Sequence, residues 1–502
     1  MSWWSASSEI GPGIGTLRED LEEDRFILDL SRAETLAALR GDVRRIARSM
    51  DQGGDAPPMM WTGIPFPARA RDLGTSSFCL VVSVGGTKTD FALLRLESGE
   101  VRILDRHGVE HGGAEIAQVK RSLRIPTPTQ AELKSGIEMI EKLSGAIAGY
   151  LAPNAARLGN RLEIILSWGF ANKVVRTGDR VLGGVAALTT LMTKEQAAFT
   201  TDLKGKDIGR LLGSALERRL GWNCTVTAAN DGIMALHYFL RAEYLKAHER
   251  IGLFINGTGT NFAMAERYAV RSAGVVSRPG EEYQPRRLTR GQNPAAGEHE
   301  ELYLVNYETG SIPLAATLTV YDDPSHDYPI EANALSGGNA FEQQLRGVVR
   351  ARISSELYAE LVESRRTIDQ EHPAPRGPEV ARLAVEGPGA IDALFPGVQL
   401  AEVDRERLVF VARAIVRRSA LHAALILAAV TERNRFGLGG EARKPDLLAM
   451  EGSVWSTEGY PDLVRAAWQA LVGVEPLRVD FGSEESYNAS QSGPLYFAVI
   501  HG

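Results

Sequence analysis

The fold class that this chain predicts is α/β with mixed sheets, and three observations carry it. Apolar segments of strand character run straight into turns built from glycine, asparagine or aspartate. Amphipathic helical stretches separate those segments. The order strand, glycine turn, strand, helix then recurs in two halves of the chain, which is the alternation expected of sheets flanked by helices.

The elements follow in order. Leu17, Leu21, Phe26, Leu36, Leu39, Val43 and Ile46 recur near helical spacing and predict helix over about 16–50. The Gly-, Asp- and Pro-rich stretch Asp51–Pro58 breaks that pattern and reads as a linker. Phe78–Val82 and Phe91–Leu96 flank Gly85-Gly86-Thr87 and predict a hairpin. If Gly85 to Lys88 form its loop, Val84 pairs with Thr89 and Ser83 with Asp90. Ala131–Tyr150 sets Leu133, Ile137, Ile140, Leu143 and Ile147 on one helical stripe. Leu162–Ser167 is a strand, residues 173–203 read as irregular with room for an insertion, and Ile208–Leu220 is a helix. Cys224–Thr227 is a short strand ending at Asn230-Asp231, followed by a helix over Ile233–Leu245. Ile251–Asn256 is a strand running into Gly257-Thr258-Gly259-Thr260-Asn261. The polar region 278–301 reads as a surface loop, and helices dominate 340–430. Leu447–Met450 is a strand into Glu451-Gly452-Ser453, and Tyr460–Leu471 is a helix before Leu477–Phe481 and a terminal helical piece.

At 502 residues the chain exceeds one core, and its length suggests roughly two to four domains. Hydrophobic residues make up 44% and charged residues 24%, the balance of an ordinary globular protein. The net charge of −7, with no basic stripe, argues against a nucleic-acid partner. Cys79 and Cys224 are too few for a cysteine zinc site, and two isolated thiols fit a reducing, cytoplasmic compartment. Met1–Trp4 lacks the pattern of a signal peptide. The longest apolar run, Leu421–Val430, is too short to span a bilayer, so no membrane partner is expected.

The turns carry the chemistry. Glycine lets an anion approach the backbone, and the Thr87 hydroxyl can donate to a phosphate oxygen; a plain hairpin turn is the alternative. Neither a Walker A sequence nor a dinucleotide fingerprint occurs. Read together, Ser83-Val84-Gly85-Gly86-Thr87-Lys88, Ser167-Trp168-Gly169-Phe170, Leu203-Lys204-Gly205-Lys206, Asn230-Asp231, Gly257-Thr258-Gly259-Thr260-Asn261, Asn306-Tyr307-Glu308-Thr309-Gly310, Phe341-Glu342-Gln343 and Gly452-Ser453 stand in a telling order. They resemble, in register, the motifs of the hexokinase family within the actin-like sugar-kinase fold group.

That resemblance, from about residue 16 to the end, implies a two-lobed actin-like (ribonuclease H-like) fold with a cleft between the lobes. The N-terminal helices and linker, 1–76, would pack on the large lobe of 226–455; the small lobe, 77–225, would be rejoined by 456–502. It implies an ATP-dependent kinase acting on a primary hydroxyl of glucose or a related hexose, with Mg2+. Asp231 would be the general base, where the residues alone also allow an N-cap. Lys204 would bind the sugar near the transferring phosphate, or is an ordinary surface lysine. Ser167, Asn230, Asn261, Glu308 and Glu342 would read sugar hydroxyls, with a solvated surface carboxylate the alternative for Glu342. Gly85, Gly86, Thr87, Lys88, Gly257, Thr258 and Gly259 would hold phosphates, and Gly452 and Ser453 would flank the adenosine. The oligomeric state stays open.

Two positions depart from the family pattern. Ser83 stands where the family has an aspartate that helps hold hydrated magnesium. Asp90, opposite Ser83 on the hairpin, is a candidate replacement, or a solvated hairpin carboxylate. Leu203 stands where the family has a threonine before the sugar lysine. The departures keep two other readings in play: a kinase of a modified sugar or sugar-containing metabolite, and a sugar-responsive regulator with decayed catalysis.

Overall fold

The computed structural model describes residues 14–52, 64–65, 77–85, 88–97, 100–104, 110–112, 123–126, 135–169, 173–177, 180–185, 202–203, 206–257, 259–271, 286–288, 292–307, 309, 317–322, 337–370, 374–438, 444–473, 477–482 and 493–494. They fall into two compact units, each assembled from separated stretches of chain.

One unit comprises Met60–Leu253, Phe262–Glu308 and Ser483–Gly502. Its central sheet holds β2 (Ser77–Val84), β7 (Arg161–Trp168) and β10 (Asn223–Asn230) in parallel, with β7 between the other two. Antiparallel strands β3 (Lys88–Glu97), β4 (Glu100–Leu104) and β5 (Glu110–Gly112) extend it, and β6 (Leu123–Pro126) pairs with β3. β2 and β3 take the register expected from sequence: Ser83 opposite Asp90 and Val84 opposite Thr89.

The period-two pattern puts Leu80, Val82 and Val84 on one face, where helices α3 (Gly136–Leu151) and α5 (Ile208–Leu220) cover them. Ser135 caps α3 by accepting from Glu138 N, and the Asp202 carboxylate accepts from Gly136 N at 2.8 Å and Ile137 N at 3.1 Å. Asp207 caps α5, and Gly221 ends it in the left-handed conformation. Short α4 (Ala155–Leu158) leads into β7. The same unit holds antiparallel β12 (Thr260–Arg271) from residue 262 onward, β13 (Arg286–Arg287), β14 (Glu298–Asn306) and β1 (Ile64–Pro65).

The other unit comprises Met1–Met59, Phe254–Asn261 and Thr309–Gly482. β16 (Val479–Phe481), β15 (Asp446–Glu451) and the end of β11 (Ile251–Asn256) lie side by side. The rest is helical: α1 (Ile14–Glu23), α2 (Ala33–Gln52), α8 (Gly338–Arg352), α9 (Ser355–Arg366), α10 (Gly377–Glu386), α11 (Ile391–Leu394), α12 (Glu402–Asn434) and α13 (Tyr460–Val472). α12, 33 residues long, is the spine on which α2, α8, α10 and α13 pack. By length and composition it could cross a membrane, and the sequence reading that weighed only its apolar run missed this. Its apolar stretch is almost wholly buried in the fold, as in the core helix of a globular protein. Arg418 on α12 is buried with Asp322, to which its Nη1 donates at 2.7 Å, while its Nη2 donates to Thr317 O at 2.6 Å. Removing one partner of such a pair strands the other charge.

Four sequence expectations need correction. The N-terminal helix splits into α1 and α2, because Arg25 turns left-handed (φ +62°) and Phe26 N donates back to Leu21 O. The helix expected over 233–245 breaks into α6 (Asp231–Leu236), a 3₁₀ turn over His237–Phe239, and α7 (Ala242–Ala247). There Arg241 Nε takes the Tyr238 carbonyl, and the guanidinium lies over the Tyr238 and Tyr244 rings. Within 173–203, Lys173–Thr177 (β8) and Arg180–Val185 (β9) pair as an antiparallel hairpin. Part of the expected loop 278–301 is strand: β14 starts at Glu298 and pairs with β12, and Glu300 and Glu298 form ion pairs with Arg267 and Arg286.

Candidate functional site

In the unit built on the parallel strands, three candidate motifs meet at one sheet edge. Val84, Trp168 and Asn230 are paired across β2, β7 and β10, and Ser83, Ser167 and Ala229 form the row before them. All three strands end there, where parallel sheets commonly place ligands. Gly169 closes the arrangement. Its N donates to Val84 O at 2.8 Å. A Cβ built on Gly169 would stand 2.6 Å from Val84 O, 3.3 Å from Gly85 Cα and 3.5 Å from Asp231 Oδ2. The start of the first glycine turn, the end of the second motif and the candidate base therefore converge around one glycine.

The N-cap alternative for Asp231 is resolved by its neighbour. Asn230, buried, is the N-cap of α6, its Oδ1 accepting from Gly232 N at 2.8 Å. Asp231 is the first helical residue; its Oδ1 accepts from the same N–H at 2.8 Å, and Oδ2 is the oxygen near Gly169. Ser167 is buried in its row, whereas Ser83 and Asp90 are half-buried. Leu203 is wholly buried in the α3/α5 core, so its side chain serves packing and says nothing of hydroxyl recognition.

α6 packs against β14, whose last residue is Asn306, fully buried. Tyr307 N continues the ladder by donating to Phe262 O at 2.9 Å. The Tyr307 phenol donates to Glu266 Oε1 on β12, and the Tyr268 phenol donates to Glu266 Oε2 at 2.9 Å.

The other unit gathers a second set around the turn after β11. Gly257 N donates to Gly259 O at 3.0 Å, closing the turn. Gly338, at the start of α8, donates its N to Gly257 O at 2.6 Å. A Cβ on Gly377, at the start of α10, would stand 2.8 Å from Gly338 Cα. Gly452 has φ +104°, and a Cβ there would stand 2.5 Å from Asn256 O. Bare backbone from four elements thus converges, and the N-termini of α8 and α10 bring partial positive charge to the turn. Below it Asn256 is buried; its Nδ2 donates to Tyr460 Oη at 2.8 Å, and Ser419 Oγ lies 2.9 Å from the same oxygen. Burial pushes the Tyr460 phenol far above its ordinary value, so it stays protonated.

Ser453 is exposed beside Gly452, and Asn261 is half-buried just past the turn. Glu342 lies one helical turn after Gly338 on α8 and accepts from Tyr358 Oη at 2.9 Å, with Arg346 Nη1 at 3.7 Å. It is half-buried and paired, not a solvated surface carboxylate. Gly86, Thr87, Lys204, Thr258, Glu308 and the Lys88 side chain lie outside the described residues. Sequence reasoning overlooked Gly338 and Gly377; Gly337-Gly338-Asn339 and Arg376-Gly377-Pro378, each just ahead of helical periodicity, were the available signals. Among the described residues, no group of three or more His, Cys, Asp or Glu side chains could hold a metal.

Comparison with solved structures bears on this arrangement. A hexokinase from Schistosoma mansoni complexed with glucose is similar over 96% of this chain and 99% of its own, with a TM-score of 0.61 and 15% identity. A second hexokinase structure is similar over 96% and 99%, with a TM-score of 0.55 and 16% identity. The chain has the hexokinase fold. No protein-family model matches it, and no curated relative matches its sequence.

Proposed function

We propose that the chain is an ATP-dependent sugar kinase of hexokinase type, transferring the γ-phosphoryl group to the primary 6-hydroxyl of glucose or a related hexose. The observation that carries the reading is the convergence of Gly85, Gly169 and Asp231 Oδ2 where three parallel strands end. In this reading Asp231 takes the proton of the sugar hydroxyl as its oxygen attacks phosphorus. Asn230, locked as helix cap, holds Asp231 in place. Ser167, Asn261, Glu308, Glu342 and Lys204 read the sugar. Gly85-Gly86-Thr87-Lys88 and Gly257-Thr258-Gly259 are read as phosphate-holding from their resemblance to the family's motifs, and at Gly257 the N-termini of α8 and α10 favour negative charge. The adenosine lies along Gly452-Ser453.

Magnesium bound with a nucleotide typically takes one or two carboxylates beside the phosphates and several waters. Here Asp90, in register opposite Ser83 and half-buried, fits that need in place of the missing aspartate. The ion would neutralise phosphate charge. Asp90→Asn is expected to weaken Mn2+ binding to the protein–nucleotide complex about tenfold by electron paramagnetic resonance; unchanged Mn2+ affinity removes Asp90 from this role.

ADP release measured across common hexoses tests the proposal. Turnover should need one hexose, and Asp231→Asn should cut kcat roughly 10²–10⁴-fold while sugar binding by calorimetry persists. The neutral Ser83 favours a second reading, a sugar-responsive regulator, which predicts binding by the wild type without turnover. ADP release with a modified sugar but no plain hexose would move the acceptor and leave the kinase intact.

A further inference from the structure

Glu266 is a carboxylate buried between tyrosines, and the role proposed for Asp231 does not use it. It is 6% exposed, directly opposite Tyr303 in the β12–β14 ladder. Tyr307 is 2% exposed and gives its phenolic proton to Oε1; Tyr268 gives its proton to Oε2. Burying a carboxylate is costly unless its oxygens are satisfied, and two phenols supply that satisfaction. One phenol belongs to Glu266's own strand. The other belongs to the residue between Asn306 and Glu308, just past the end of β14. Tyr307 is thereby held at both ends, its backbone N by Phe262 O and its hydroxyl by Glu266, while its ring lies 5.9 Å from that of Phe262.

We infer that Glu266 is a positioning residue that, through Tyr307, fixes the backbone at Asn306-Tyr307, next in sequence to Glu308, which is proposed to read the sugar. The inference rests on the proposed sugar-kinase function. Its physical content is separate: a peptide segment at a strand end frays unless something beyond the ladder holds it, and the hydrogen bond from the Tyr307 phenol to the Glu266 carboxylate is such a hold. Removing the Tyr307 hydroxyl keeps the ring packing and deletes only the tether. In Glu266→Gln the amide still meets both phenols, but without the charge.

The experiment compares wild type, Tyr307→Phe, Glu266→Gln and Glu308→Gln in the full chain. Hydrogen exchange of the peptide covering 306–309 is read first, with no ligand. Tyr307→Phe should speed it about tenfold, and Glu266→Gln less. The hexose KM is read second. Both tether variants should raise it about tenfold with kcat within twofold, and Glu266→Gln/Tyr307→Phe should be no worse than the poorer single variant. Unchanged exchange overturns the tether. Faster exchange with an unchanged hexose KM, in a wild type that turns hexose over, overturns the positioning role. A wild type that neither binds nor phosphorylates a sugar defeats the function itself, and the inference falls with it at that control. Glu308→Gln losing far more activity than either tether variant separates direct reading from positioning.

Discussion

A methyl group at position 169 would press on Val84 O at 2.6 Å, a backbone atom of β2 that cannot swing aside. Relief requires the ends of β2 and β7 to part, and Asp231 Oδ2 lies against the same glycine. Misplacing reacting groups by about 1 Å can cost a hundredfold in rate. Gly169→Ala is therefore expected to lower kcat about 10- to 100-fold while the melting temperature falls by only a few degrees, checked by steady-state kinetics beside thermal unfolding. A loss of stability with kcat intact would show that the glycine serves packing alone. At this scale the sequence named Asp231 but also allowed it to be only a helix cap; that Asn230 takes the cap depends on backbone angles at the strand–helix junction. Leu203 misled for a related reason. Its identity bears on hydroxyl recognition only if its side chain faces the ligand, and it faces the core. Cys224 shows the same dependence on surroundings: burial, reinforced by Glu217, pushes its thiol up to about 11, so it is protonated and unreactive at neutral pH.

Between elements, the turn after β15 shows how closely backbone segments must approach. Gly452 adopts φ +104° and leaves no room for a Cβ beside Asn256. Asn256 in turn hydrogen-bonds Tyr460 at the head of α13. Gly452→Ala adds an unfavourable conformation to a backbone clash and should cost about 2–4 kcal/mol. The expected result is a lowered melting temperature and a raised KM for ATP, with Ser453→Ala, at an exposed neighbour, leaving the melting temperature unchanged. Equal stability of Gly452→Ala and wild type would contradict the observed packing. The strand-to-turn junctions were legible because glycine and apolar runs punctuate them strongly. The break after α6 was not, because Arg241 bonds the Tyr238 carbonyl and lies over the Tyr238 and Tyr244 rings, a local side-chain arrangement that interrupts an otherwise helical pattern. β14 was hidden by its charge: Glu298, Glu300 and Glu301 look like loop residues until Arg286 on β13 and Arg267 on β12 are known to pair with two of them.

At the scale of the molecule, the fold is shared with a solved structure at only 15% identity over nearly the whole length, so overall sequence similarity does not report it. Connections were harder to read. The chain passes from one unit to the other after Met59, Leu253, Asn261, Glu308 and Gly482, and no single stretch holds either unit complete. Periodicity reports what each segment buries, not which distant segment covers it. This has a consequence for dissection. Residues 60–253, the longest continuous stretch of one unit, contain the parallel strands, α3, α5 and Asp231. Yet Ile233, Met234, Ala235 and Leu236 of α6 are fully buried, and β14, from 262–308, packs against that helix. Gly493 lies so close that a Cβ there would stand 2.1 Å from Met234 O. A fragment of 60–253 leaves that apolar helix uncovered, which favours aggregation or a loosely packed state. It is expected to lack a cooperative thermal transition and dispersed amide resonances, whereas a 60–308 fragment, regaining β12–β14, should recover part of both. A cooperative, well-dispersed 60–253 would show that the strands from 262–308 are not needed to complete its core.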